Sequence, residues 1–255
     1  MSERENVIDL NSDLGEGFGA WSMGDDDALL DIITSANIAC GFHAGDPAIM
    51  RRTCDRAVSR SVTIGAHISY QDLAGFGRRA LAVEAARLRD ETLYQIGALD
   101  GIARAAGGRV RYVKPHGALY HSGSSDAEVA TAIVTAMSEF DAGLGLLGPL
   151  DSELEAAAGR AGIAFYGEGF ADRAYTPESR LVARSAEGAV LAESAAVAQA
   201  LAIAQSGTVT AVSGVAVPVR AQSICVHGDS PGAVAMARSV RAAMQDAGIA
   251  LAAFA

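Results

Sequence analysis

The chain has 255 residues, 50% hydrophobic and 20% charged, with 28 glycines and a formal net charge of -10. That length allows one large domain that buries about three quarters of its unfolded surface, and 30 acidic against 20 basic residues argues against nucleic acid or anionic membranes as partners, since both demand positive charge. Cys40, Cys54 and Cys225 form no CxxC pair, the N-terminus lacks the apolar run of a signal peptide, and the longest uncharged alanine-rich run, 194–207, is interrupted by Gln199 and Gln205 and is too short to span a bilayer; a cytoplasmic protein without disulfides is expected.

Along the chain, short β-branched or apolar runs alternate with longer helical stretches, as in βα units. Residues 7–10 read as a first strand and 25–33 as a short helix opened by acids that suit the positive end of its dipole. A second strand is expected at 35–40, a helix from Pro47 to about Ser59, and a third strand at 62–66. The long helical pattern 83–106 ends at Gly107-Gly108, before a fourth strand at 110–113. Residues 127–137 are helical. Further strands are predicted at 144–147, 164–166, 209–212 and 223–226, with helices at 152–161, 193–205 and 231–247. Seven or eight such units without a linker predict an α/β fold, a single closed or nearly closed β/α barrel over residues 1–255. An open doubly wound sheet is the alternative. In either architecture the chemistry gathers at the carboxyl ends of the strands.

Four of the five histidines follow a predicted strand directly, in Cys40-Gly41-Phe42-His43, Gly65-Ala66-His67, Val113-Lys114-Pro115-His116 and Cys225-Val226-His227. One histidine so placed is as readily structural as functional; four at equivalent positions point to a shared site, because parallel strands bring their ends together. His121 lies further out and is read as peripheral. Carboxylates accompany the histidines: Asp13 and Glu16 after strand one, Asp46 before Pro47, and Asp229 after His227. Helix capping is the plain role for Asp46. Asp13, at the mouth of strand one, suits a general base or a metal ligand beside imidazoles. Lys114 is the only lysine; the other 19 basic residues are arginines, and a lysine can release a proton or act as a compact charge at an oxyanion where arginine cannot. Asp72, Arg78 and Arg79 occupy a glycine-punctuated loop suited to a lid or an anion clamp. No P-loop, GxSxG, HExxH or dinucleotide GxGxxG is present, so no flavin or nicotinamide is expected and any ATP must be held by other means or by a partner.

The segments Asn11-Ser12-Asp13-Leu14-Gly15-Glu16, Asn37-Ile38-Ala39-Cys40-Gly41-Phe42-His43-Ala44-Gly45-Asp46, Ile64-Gly65-Ala66-His67, Lys114-Pro115-His116-Gly117-Ala118-Leu119-Tyr120 and Val226-His227-Gly228-Asp229 resemble the LamB/YcsF family over about residues 7–252. The resemblance implies a β/α barrel related to glycoside hydrolase and deacetylase barrels, and an activity as the A subunit of 5-oxoprolinase. That activity opens the 5-oxoproline (pyroglutamate) lactam to L-glutamate with ATP, expected with Mg2+, in concert with subunits B and C. On that basis Asp13 is expected as general base, His43 and His67 as its orienting groups, and Lys114 and His116 as stabilisers of oxyanion or phosphoryl oxygens. Glu16, Asp46, Arg78, His227 and Asp229 are expected to bind substrate, Arg78 at its carboxylate. Ile68, Gln71 and Ala183 replace prolines common in the family, and His121 stands where asparagine is common. Two other readings compete: a stand-alone metal-dependent hydrolase or deacetylase with Asp13, His43 and His67 as ligands, and a non-catalytic subunit that only delivers substrate.

Overall fold

The structure is a computed structural model and describes residues 7–184, 186–228 and 232–255. In chain order its first half comprises β1 (Val7–Leu14), α1 (Asp26–Leu30), β2 (Ser35–Ala39), α2 (Pro47–Ser59), β3 (Thr63–Ile68), α3 (Ala85–Ala105), β4 (Val110–Pro115), α4 (Gly117–Ser125) and α5 (Ala127–Asp141). The second half comprises β5 (Gly145–Gly148), α6 (Glu153–Ala161), β6 (Phe165–Phe170), α7 (Glu193–Ser206), β7 (Thr208–Thr210), β8 (Ala216–Pro218), β9 (Ser223–Cys225), α8 (Ala233–Asp246) and β10 (Ala250–Leu251).

Seven parallel strands close the barrel in the order β1-β2-β3-β4-β5-β6-β9, with β9 pairing back onto β1 at Leu10↔Ile224. The short β10 extends the lower edge of β1, and Phe254 beyond it packs under the barrel against Tyr112 and Tyr166, at ring separations of 4.8 and 4.6 Å. Outward-facing residues such as Leu10, Leu14, Ile38, Ile64, Val113, Leu146 and Ile224 join Met50, Cys54, Leu88, Ile96, Ile133 and Met137 of the helices in one apolar layer. Inward-facing residues of β1 are instead Asp9, Asn11 and Asp13, the period-two alternation of a strand with both faces buried. Among the described residues no helix is long and apolar enough to cross a membrane.

The predicted alternation is borne out, with three differences. Residues 209–212 are not a barrel strand: β7 pairs antiparallel with β8 in a hairpin outside the barrel. Residues 117–125, rich in glycine and serine, form α4, because burial of Ala118, Leu119 and Tyr120 outweighs their weak helix propensity; His121 therefore stands on a helix. Strands β1, β3, β4 and β6 run beyond their predicted ends, which puts Asp13 inside β1 rather than after it, and the helix predicted at 25–33 shrinks to α1. The start of the last helix, predicted at 231, falls outside the described residues.

Candidate active site

A polar column fills the barrel, and its upper end is the floor of a cavity. At the bottom, Asp9 accepts hydrogen bonds from Thr34 Oγ1 (2.5 Å), Ser35 Oγ (2.6 Å) and Ser223 Oγ, and burial pushes its carboxyl up to about 6. One layer up, Asn11 donates to Ser223 Oγ (2.6 Å), while Asn37 donates to Asn11 Oδ1 (2.7 Å) and Asp13 Oδ1 (2.8 Å) and accepts from the Tyr112 hydroxyl (2.6 Å). Gly65, opposite Tyr112 across β3 and β4, leaves the space that the ring fills; a Cβ there would collide with it. Lys114 Nζ sits in this layer between two carboxylates, 3.0 Å from Asp13 Oδ1 and 2.7 Å from Glu168 Oε1. Although burial opposes the charge, Asp13, Cys225 and Glu168 hold the ammonium well above its usual range. Its charge is therefore shared between Asp13 and Glu168, with only 2% of the residue exposed.

Above the column opens a cavity of about 730 Å³, lined by Asp13, Glu16, His67, Lys114, His116 and His227, with Arg78, Arg173 and Arg184 around it. Burial alone would raise the Asp13 carboxyl, but His67 and Lys114 outweigh it and hold the group well below the usual carboxylate range, so Asp13 is an anion at neutral pH. Its second oxygen, Oδ2, lies 3.3 Å from His67 Nε2. Within 4.8 Å of Asp13 stands His227, whose Nδ1 meets Asp172 at 2.8 Å and whose ring stacks on Phe170. Burial disfavours the imidazolium there, yet Asp172 overrides it and raises His227 above the ordinary histidine range. This is an imidazole poised to donate a proton.

On the His67 side the wall is a cluster of rings. His43 stacks on His116 with centroids 3.9 Å apart and planes within 6°, and His67 stands edge-on to both. Burial, then the neighbouring rings, pushes His43 and His116 well below the ordinary range. Glu16 Oε1 reaches into the cluster, 3.3 Å from His43 Nε2 and 3.5 Å from His116 Nδ1. The donor atoms of Glu16, His43, His67 and His116 all lie within 4.8 Å of one another, so three imidazoles and a carboxylate converge as a metal-ligating set would. Gly77 makes the cluster possible: its φ of 64° is left-handed, and a Cβ there would lie 2.9 Å from both His43 Cβ and His116 Cδ2.

Of the residues picked out from sequence, Asp13, Glu16, His43, His67, Lys114, His116, Arg78 and His227 come together here, His43 from behind His116. Of the metal-ligand trio Asp13, His43 and His67, the two histidines fall in one group with Glu16 and His116, whereas Asp13 Oδ1 is engaged by Lys114 and Asn37 and its Oδ2 faces His67. Asp46 corrects the expectation of substrate binding: it caps α2, accepting from Ile49 N and Gly19 N at 2.8 Å each, and does not line the cavity. Asp229 lies outside the described residues. In the loop after β3 the two arginines part company: Arg79 is bound by Asp72, which also caps the turn, whereas Arg78 packs 5.0 Å over the Phe76 ring and lines the cavity. Unanticipated were Asp172, Arg173, Arg184 and Glu168. The first three ride on the long segment after β6, tied down by the bridges Arg173↔Val190 and Tyr175↔Leu181.

A sequence profile of the LamB/YcsF family matches residues 8–255. The chain is 63% identical over 247 residues to a protein of Nocardia farcinica named as the A subunit of 5-oxoprolinase, covering 97% of this chain and 99% of that one. The 5-oxoprolinase A subunit of Paracidovorax citrulli is 55% identical over 249 residues, with 97% and 99% covered. The crystal structure of a lactam utilization protein from Thermus thermophilus superposes with a TM-score of 0.92 at 39% identity, over 97% of this chain and all of that one. A family 4 carbohydrate esterase from Streptomyces lividans, at 12% identity and a TM-score of 0.53, with 98% and 93% covered, shares the fold alone.

Proposed function

The chain belongs to the LamB/YcsF family, and on that premise we propose that it is the A subunit of an ATP-dependent 5-oxoprolinase, opening the 5-oxoproline lactam to L-glutamate together with subunits B and C. The observation that carries this reading is the pairing, side by side in one cavity, of an ionised base at Asp13 with a proton donor at the His227–Asp172 dyad. A lactam is an unactivated amide. Transfer of the ATP γ-phosphoryl group to its oxygen, with Mg2+ expected alongside the nucleotide, makes the carbonyl carbon accept water. Asp13 takes the proton from that water as its oxygen bonds to the carbon. The carbon–nitrogen bond then breaks as His227 gives its proton to the ring nitrogen, and a second water releases phosphate from the acyl phosphate. Two waters and one ATP are consumed, yielding glutamate, ADP and phosphate.

The supporting charges fit these steps. Arg78, Arg173 and Arg184 give the rim the positive character needed for a substrate carboxylate and a phosphoryl group. Lys114 holds Asp13 in register from below instead of meeting the oxyanion directly. No motif of this chain cradles a nucleotide, so the reading assigns ATP binding to the partners or to a surface shared with them. The test is glutamate and ADP formation from 5-oxoproline plus ATP, comparing the chain alone with the chain plus B and C. Turnover confined to the mixture is expected; ATP-independent hydrolysis by the chain alone would replace this reading with the stand-alone hydrolase.

A further inference from the structure

The ring nitrogens of the histidine cluster are disposed in a way that neutral imidazoles alone do not satisfy. His116 Nε2 lies 2.9 Å from the Phe76 carbonyl oxygen, and His67 Nδ1 lies 3.2 Å from the Lys114 carbonyl oxygen. A carbonyl only accepts, so both of these nitrogens carry the hydrogen. The remaining nitrogens, His116 Nδ1 and His67 Nε2, face each other at 3.0 Å, and in neutral rings both are bare lone pairs, so the pair needs either an added proton or a cation between them. Around them stand further acceptors: Glu16 Oε1 at 3.5 Å from the first and 3.9 Å from the second, and Asp13 Oδ2 at 3.3 Å from the second. His43 points Nε2 at the same Glu16 oxygen from 3.3 Å, and its Nδ1 is buried without a hydrogen-bond partner. A buried gathering of lone pairs and carboxylate oxygens repels itself unless something positive lies among them.

We propose that Glu16, His43, His67 and His116 form a binding site for one divalent transition-metal ion at the wall of the cavity. Three imidazoles and a carboxylate suit zinc, cobalt, nickel or iron over magnesium or calcium, which prefer all-oxygen ligands. The 3.0 Å between the facing nitrogens is close to the spacing of two nitrogens each bonded at about 2.0–2.1 Å to one ion. The backbone carbonyls that take the outer hydrogens of His67 and His116 are the usual second partners of metal-ligating histidines, fixing both the tautomer and the ring orientation. Gly77 lets the strand-three loop close over the rings without displacing them. An ion held there would supply Lewis acidity to an oxygen placed in the cavity, since Glu16, His67 and His116 all line it. The site stands independently of the lactam reading, because it rests only on how these four side chains face one another.

The experiment measures metal, not turnover. The full chain, expressed without a polyhistidine tag and purified without chelator, is assayed by plasma mass spectrometry. It is then stripped with dipicolinate and titrated calorimetrically with Zn2+ and with Co2+, the latter also followed by its visible absorption. About one equivalent per chain is expected, with His67→Gln and His116→Gln each weakening binding at least ~100-fold and His121→Gln, on the neighbouring helix, leaving it unchanged. Should either cluster variant fail to fold by circular dichroism, Glu16→Gln and the wild-type titration decide. A wild-type chain that is metal-free as purified and takes up neither ion after stripping would overturn the proposal and assign the 3.0 Å contact to a shared proton. Wild-type affinity in the folded cluster variants would overturn it equally, by placing the ion elsewhere.

Discussion

The two walls of the cavity use the same residue to opposite ends. On one wall His227 faces the Asp172 carboxylate, which outweighs burial and keeps the ring ready to be charged; on the other, His43 and His116 face further imidazoles, and burial together with those rings drives them towards neutrality. Residue type therefore predicts little about an imidazole. Its nearest partner decides whether it gives a proton or presents a lone pair. The same holds for the carboxylates, since Asp9 at the bottom of the barrel is pushed up to about 6 by burial among hydroxyls while Asp13, further along the same strand, is held low by His67 and Lys114.

The largest effect expected from breaking this division is on the group beneath it. Lys114→Met leaves Asp13 and Glu168 as buried charges with no cation between them and should lower stability by about 3–5 kcal/mol, read by urea unfolding. Adding Glu168→Gln should restore part of that stability without restoring turnover; a Lys114→Met protein as stable as wild type would show that the ion pairs hold nothing.

Next in size is the dyad. An acid works only while protonated, so activity should fall as pH rises through a His227 value raised above that of an ordinary histidine. Asp172→Asn removes the cause of that elevation: the alkaline limb should move to lower pH and kcat drop by about 10–100-fold. An unmoved limb would assign it to another group. The smallest effect is expected outside both walls, where Asp46→Ala removes the cap of α2 and should destabilise the fold by about 1 kcal/mol while kcat/KM in the reconstituted complex stays at the wild-type value.

The histidines of both walls were legible in the sequence because each ends a parallel strand, and closure of the barrel by β9 on β1 carries those ends to one mouth. The dyad's other half was not. Gly167 and Gly169 weaken the strand pattern after Tyr166, so β6 reads as ending early, and Glu168 and Asp172 fall into apparent loop. Had the strand been carried to Phe170, Asp172 would have stood at a strand end like the four histidines. Asn11 and Asn37 were hidden for a different reason: an asparagine inside a strand carries no sign of whether it faces helix or barrel axis until the register pairs it with Asp13 and Tyr112. Asp46 reads equally as cap or ligand, and only its two backbone partners decide.

The role of Asp13 as the base is the claim on which the rest turns. Glutamate formation from 5-oxoproline and ATP should be followed in the proposed complex of this chain with B and C subunits, for wild type and Asp13→Asn, after confirming that the variant folds and assembles. A loss of at least ~1,000-fold in kcat is the result expected when the base is removed; turnover at the wild-type rate would take Asp13 out of the chemistry and leave this barrel to deliver substrate to a reaction completed by its partners.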